Sequence, residues 1–394
     1  MSINMTVTVK APARLVYEAL TQAHLLQEWF CDDAALGARP GGYFFAAWNR
    51  GYQAVGKFIE LEPNKKLVLN LRGSDEITDG QVEIALQEQD GATTVTVNHN
   101  NSGERWKHIW ERGVENLQSY LETGYDLRVT RRPLMGIAPN ELDEETAARI
   151  GVPVTRGIQI TALLPNMSAE KSGLLVNDVI VELDGKPLTD RVSLVNAVGD
   201  HHAGDVIDVA YHRGAEKKHI QLTFSPRPVV PIPATAQEYA EALEKLHVEL
   251  DAEIRKVFEG VTEEEATRRP EPKEWSARET VIHLLLLQRW FVSMIASRMA
   301  GQEFADVAAN HLDVIGALAA AFSSTQEALN ELKRSRDETL ALIRAMSDEF
   351  VARRGAFGFI VAQLNEVRDH DREHFQQIRK AIEAAREPVT VAGD

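Results

Sequence analysis

The chain has 394 residues, of which 44% are apolar and 26% charged, with a net charge of −16 and a single cysteine. At roughly 150 residues per domain this length implies two or three domains, and the acidic balance excludes a general phosphate-backbone binder, so no nucleic-acid partner is expected. Lone Cys31 excludes an intrachain disulfide; with no apolar run of about 18 residues and no basic-then-apolar leader, the expectation is a cytoplasmic protein without a membrane span.

Two stretches punctuate the chain. One is RVTRRP at 128–133; the other is SPRPVVPIPA at 225–234, whose prolines fix their own backbone and restrict the residues before them. Three segments result, expected at 1–126, 131–228 and 235–388.

In the first segment, 6–10 alternates like an opening strand, and 14–21 and 25–30 read as short helices. Val82, Ile84 and Leu86, then Val95 and Val97, show the period of two that marks half-buried strands. Pro63-Asn64 and Asp90-Gly91 signal turns. Trp106, Ile109, Trp110, Gly113, Leu117 and Leu121 recur at three and four, an apolar stripe on a closing helix. His99 and His108 have no acid or nucleophile at a telling spacing and read as surface or capping residues. The stretches APARLVYEALTQAHLLQEWF at 11–30, GKFIELEPNKKLVLN at 56–70 and WKHIWERGVENLQSYLE at 106–122 resemble the AHSA1-like branch of the START/SRPBCC superfamily. The resemblance implies an α+β helix-grip fold, in which a curved sheet wraps the last helix around an apolar cavity for a small molecule. Trp29, Phe44, Trp48 and Trp110 either line that cavity or fill the core, since aromatics dominate core burial.

The middle segment has short apolar runs at 158–160 and 179–181, turn signals at Gly173, Asp184-Gly185 and Arg213-Gly214, and a helix at 193–198. PLMGI at 133–137, GIQITALLPNMSAEKSGLLVNDVIVELDGKPL at 157–188 and HRG at 212–214 resemble a mainly-β PDZ domain of the HtrA type. In that family a loop points backbone N–H groups at a peptide's C-terminal carboxylate, and the peptide adds to a sheet edge. The loop corresponds here to Leu134, Met135, Gly136 and Ile137, with Leu194 and Val198 in the side-chain pocket. The alternative is a structural spacer without peptide. Asn177 stands where the pattern has glycine, a position asparagine tolerates. No protease nucleophile segment accompanies it.

The third segment reads as helix throughout, with stretches at about 235–259, 276–299, 324–346 and 358–386. Capping boxes are expected at Thr235/Glu238, Ser276/Glu279 and Ser324/Glu327. Four such helices suit an all-α four-helix bundle. His370 and His374 stand at i and i+4, on one helix face. They follow the series Ile360, Leu364, Val367 and precede Ile378 and Ala381, which places them in core-facing slots. His283 does the same in the series with Leu287, Trp290 and Met294. A buried imidazole costs free energy unless it is bonded or ligated, so the three either share one ion or are satisfied by hydrogen bonds. Three imidazoles around an ion leave positions open, as a reactive site requires.

EWSARETVIHLLLLQRW at 274–290 and LNEVRDHDREHFQQIRKAI at 364–382 resemble DinB-like proteins. The family's triad, one His on the second helix and His-x-x-x-His on the fourth, falls on His283, His370 and His374, and Gln377 fits the pattern. One divalent ion is implied: Zn, Ni, Mn or Fe. Asp369, Asp371 and Glu373 read as a solvated polar face, with a partner for a ligand imidazole as the alternative. His247 and His311 lie off the motif. The resemblance implies a metal-dependent transferase or isomerase acting with a low-molecular-weight thiol. The competing reading is a non-catalytic sensor or adaptor holding an apolar ligand and a peptide tail. No catalytic residue is assigned.

Overall fold

The computed structural model describes residues 2–48, 51–199, 201–302, 304 and 311–387; Pro388, the last residue of the expected bundle segment, lies outside them. Contacts gather the described residues of 1–107, 120–124 and 230–394 into one compact unit and those of 108–119 and 125–229 into another.

The first unit opens with β1 (Ile3–Val9), α1 (Ala13–Thr21), α2 (Ala23–Gln27) and β2 (Asp33–Leu36). There follow β3 (Tyr43–Trp48), β4 (Tyr52–Glu62), β5 (Lys66–Gly73), β6 (Gly80–Gln89) and β7 (Ala92–Asn100). The strands form one antiparallel sheet in the order β1-β7-β6-β5-β4-β3-β2. The period of two holds: Val82, Ile84, Leu86, Val95 and Val97 are all buried. Asp90 and Gly91 join β6 to β7 with φ of 53° and 76°, the two left-handed residues of a tight hairpin turn whose twist matches the strands. The closing helix, α3 (Glu104–Thr123), whose residues 108–119 fall in the other unit, carries Trp106 in its first turn. That fully buried ring stands edge-on to Trp48, Tyr52 and His99, with centroids 6.2, 6.0 and 5.0 Å away.

His99 is therefore a core residue, not a surface or capping one. It continues the inward series Val95, Val97 on β7, so strand parity outweighs its polarity. Burial lowers its pKa to about 4, opposed by the charge of Glu76. The unfolded chain accepts a proton near 6.5 that the folded one refuses, so stability is lost as pH falls from 6.5 towards 4. By pH 5 the loss is about 1 kcal/mol, allowing for partial screening. His99→Gln should flatten the fall in urea midpoint between pH 7 and 5; parallel curves for the two proteins would refute this.

The second unit holds α4 (Leu127–Thr130), β8 (Ile137–Glu141), α5 (Glu144–Ile150), β9 (Ile158–Leu163), α6 (Ser168–Ser172), β10 (Val179–Leu183) and β11 (Lys186–Pro187). It ends with α7 (Arg191–Val198), β12 (Val206–Arg213) and β13 (Glu216–Thr223). Its sheet runs β13-β12-β10-β9-β8, with β11 beside β10, which leaves β8 on an edge. Asn177 is left-handed at φ 72°, as its place in the pattern requires.

The first unit resumes with α8 (Ala236–Val257), α9 (Glu263–Thr267), α10 (Ala277–Met299), α11 (Leu312–Ala320), α12 (Thr325–Arg344), α13 (Asp348–Ala352), α14 (Arg354–Asn365) and α15 (Val367–Arg386). Helices α8 and α10 each pack on both α12 and α15, the ring of a four-helix bundle. The Ser276/Glu279 capping box is complete. At the other two starts the serine or threonine caps as expected, but Glu238 and Glu327 reach one residue further back, to the N–H groups of Ala234 and Ser323. A reciprocal box at Thr262/Glu265 starts α9. The expected fourth helix is α14 and α15, interrupted at Glu366, whose backbone stays right-handed and still accepts from the His370 N–H. Among the described residues α10 is long and apolar enough to cross a membrane; here it is the core helix of the bundle.

Candidate metal centre

Helices α10 and α15 bring His283, His370 and His374 together, with one nitrogen from each within 4.8 Å of the others. His283 Nε2 faces His370 Nε2 at 3.4 Å. That is long for a hydrogen bond. It is the spacing of about 3.4 Å that two nitrogens take when each lies 2.0–2.1 Å from one tetrahedral ion. The donor set and spacing fit a divalent cation.

The three do not share one environment. His283 is buried, while His370 and His374 are only partly so. The buried stripe of α15 runs Val367, Asp371, Phe375, Ile378, Ile382, and the two histidines stand on its margin rather than in its core-facing slots. The expected stripe followed i, i+3 and i+4 steps as well as the true one does; only packing distinguishes adjacent registers. The margin gives the cluster access to solvent. Trp275, just before α10, covers the other side, its ring 4.8 Å from His283 and 6.3 Å from His374. Gln377, one turn after His374, holds its Nδ1 at 2.8 Å through Oε1. Burial lowers the His374 pKa, so this imidazole stays neutral below the ordinary histidine range. Trp275 and Gln377 also line an adjoining cleft of about 560 Å³ with Lys273, Glu274 and Lys380.

Of the three flanking acids, Asp369 and Glu373 are exposed as expected, but Asp371 is not on a solvated face: it is 1% exposed. Arg336 of α12, fully buried, pairs with Asp371 and with Asp251 of α8. The sequence signal for Arg336 was its place in the apolar series Leu329, Leu332, Arg336, Leu340, Ile343, where a cation requires a buried partner. His247 is likewise buried and its pKa falls to about 3, chiefly through burial. His311 is exposed.

In the second unit the carbonyls of Leu134, Met135 and Gly136 accept from Ser225, Ala169 and Leu164. Among the described residues the N–H groups of Met135 and Gly136 donate to no protein acceptor outside the strand ladders. Gly136 has φ 80°, and a Cβ there would stand 2.1 Å from that of Met167. Ile137 begins edge strand β8. Leu194 is buried and Val198 half-buried on α7, whose first N–H bonds to Glu141 at the end of β8. Val195, one turn after Arg191, is 67% exposed.

In the first domain Trp29, Phe44 and Trp110 are buried and Trp48 half-buried. Phe30 lies between Trp29 and Trp48 at 5.0 and 5.4 Å, and Phe44 is 6.1 Å from Phe58.

Comparison with known proteins assigns all three segments. Residues 10–122 match the activator of Hsp90 ATPase homolog 1-like family, 133–224 the PDZ domain and 246–378 the DinB superfamily. A probable DegP-like periplasmic serine endoprotease of Marinomonas is 29% identical over 129 residues, 32% of this chain and 28% of that protein. The periplasmic serine endoprotease DegP of Escherichia coli is 31% identical over 109 residues, 28% of this chain and 22% of its own length. The chain thus spans less than a third of these curated relatives. The solution structure of the Aha1 dimer from Colwellia psychrerythraea aligns at 22% identity and TM-score 0.28, covering 30% of this chain and 95% of that one. The expectation of a cytoplasmic location is overturned, because the matched relatives are periplasmic. A single buried cysteine fits either redox compartment, so its count carried no such information.

Proposed function

We propose that this chain, which carries an AHSA1-like helix-grip domain, a PDZ domain and a DinB-superfamily four-helix bundle in that order, is a metal-dependent transferase or isomerase that acts with a low-molecular-weight thiol. The observation that carries this reading is the convergence of His283, His370 and His374 on one point at the margin of the bundle core. A divalent ion held there supplies Lewis acidity and favours the thiolate form of a bound thiol, the stronger nucleophile. The chain's own residues do the rest. Gln377 fixes the ring of His374, Trp275 walls the cluster, and the adjoining cleft gives room for a substrate. Lys273 and Lys380, opposed by Glu274 alone among the charged residues lining that cleft, favour an anionic one. The test is elemental analysis of the purified chain followed by a thiol-transfer screen with the metal it retains. Protein that stays metal-free after exposure to Zn, Ni, Mn and Fe would end this reading.

A second reading, a sensor or adaptor, draws on the PDZ loop. Edge strand β8 and the N–H groups of Met135 and Gly136 suit an added peptide strand ending in a carboxylate. Gly136→Ala meets both a left-handed backbone, about 1–2 kcal/mol, and a clash with Met167. It should abolish binding of C-terminal peptides titrated against the full chain. Native protein that binds none more tightly than about 1 mM, roughly −4 kcal/mol, would exclude peptide recognition. An apolar ligand among Trp29, Phe44, Trp48 and Trp110 belongs to the same reading and needs a void of about 300 Å³ or more beside them. The relatives' compartment makes the periplasm the location to test by cell fractionation.

A further inference from the structure

Resting on the metal reading above, we infer that Asp371 is a positioning residue for His370, locked in place by Arg336 and Asp251. The argument begins with protons. Gln377 Oε1 accepts from His374 Nδ1, which leaves Nε2 of that ring to face the centre. His283 and His370 already face each other through Nε2. For His370 to offer a lone pair at Nε2, its Nδ1 must carry the hydrogen. That Nδ1 is buried and makes no hydrogen bond among the described residues. Asp371 Oδ1 lies 3.6 Å from it.

The carboxylate is placed to take this proton's hydrogen bond. Arg336 donates to Asp371 Oδ2, so Oδ1 is left for His370. The same guanidinium pairs with Asp251, so one buried cation faces two carboxylates and part of their negative charge is uncompensated. Ligation makes an imidazole N–H a better donor, and a carboxylate behind a ligating histidine fixes its tautomer and ring plane. A short shift of the ring closes the 3.6 Å gap. The clamp joins α8, α12 and α15, so the orientation of one ligand is tied to three helices. Gln377 does the same for His374 from within α15 alone.

The test compares Asp371→Asn, Asp371→Glu and Asp369→Asn in the full chain. Asparagine keeps an oxygen for Arg336 and loses the charge; Asp369 is an exposed carboxylate equally close in sequence. Zinc affinity is read by competition with a chromophoric chelator, and the His370 tautomer by long-range ¹H–¹⁵N spectra of the metal-free protein. Asp371→Asn should weaken zinc about 10- to 100-fold. It should also convert His370 from the single Nδ1–H form to a mixture, at unchanged far-ultraviolet dichroism. Asp371→Glu should restore part of both, and Asp369→Asn should change neither. An Asp371→Asn chain with native affinity and native tautomer overturns the inference, as does an equal effect from Asp369→Asn. A native chain that binds none of Zn, Ni, Mn and Fe yet shows the Asp371-dependent tautomer overturns the metal reading and supports the positioning.

Discussion

His374→Ala is expected to hold Zn, Ni, Mn or Fe at least about 100-fold more weakly than the native chain, about 2.8 kcal/mol, while keeping its helical circular dichroism. Losing an outer partner of a ligand costs 10- to 100-fold, so losing the ligand itself costs more. The fold survives because His374 is marginal to the buried stripe of α15, which runs through Val367, Asp371, Phe375 and Ile378. Elemental analysis beside dichroism measures both parts; retained metal in the variant would remove His374 from the site. The pH dependence follows from burial. Ligation needs neutral imidazoles, and His374 is held neutral below its ordinary 6.5. Bound metal should therefore persist as pH falls past 6.5 and be released only further down, as protons compete for the rings. Release complete by pH 6.5 would contradict the buried geometry.

Arg336→Met should cost about 3–5 kcal/mol of unfolding free energy. The native guanidinium is fully buried between Asp251 and Asp371. Removing it leaves two carboxylates that lose their cation and keep their desolvation; burial already raises the pKa of Asp251 against the pull of Arg336. Denaturant titration at pH 7 measures the loss, and a change below about 1 kcal/mol would show that solvent reaches the pair. Replacing all three residues with apolar ones of similar volume should recover most of the stability, since a well-packed apolar layer often equals a buried ion triad. If Asp371 orients His370, that triple variant stays stable yet binds metal less well than the native chain, which separates the clamp's two roles.

Much of this was legible along the chain. Strand alternation in β6 and β7, the Asp90-Gly91 turn, the helix caps and the His-x-x-x-His spacing depend on neighbours within a few residues, where backbone geometry alone decides which side chains share a face. Family patterns in the three segments placed the histidine triad and the Leu134, Met135, Gly136, Ile137 loop by position. What the chain order could not decide was which of two adjacent helical registers turns fully inward. On α15 both the series through His370 and His374 and the series through Asp371 and Phe375 recur at three and four. Packing against α8 and α10 selected the second, with a buried arginine from α12 compensating the aspartate. That choice left two histidines half-open at the bundle's edge, beside a third that is buried. The His-x-x-x-His spacing and the family pattern pointed to three imidazoles; the burial of unlike charges from distant segments, a long-range electrostatic fit invisible to local spacing, left two of them at the margin of the core, open to solvent.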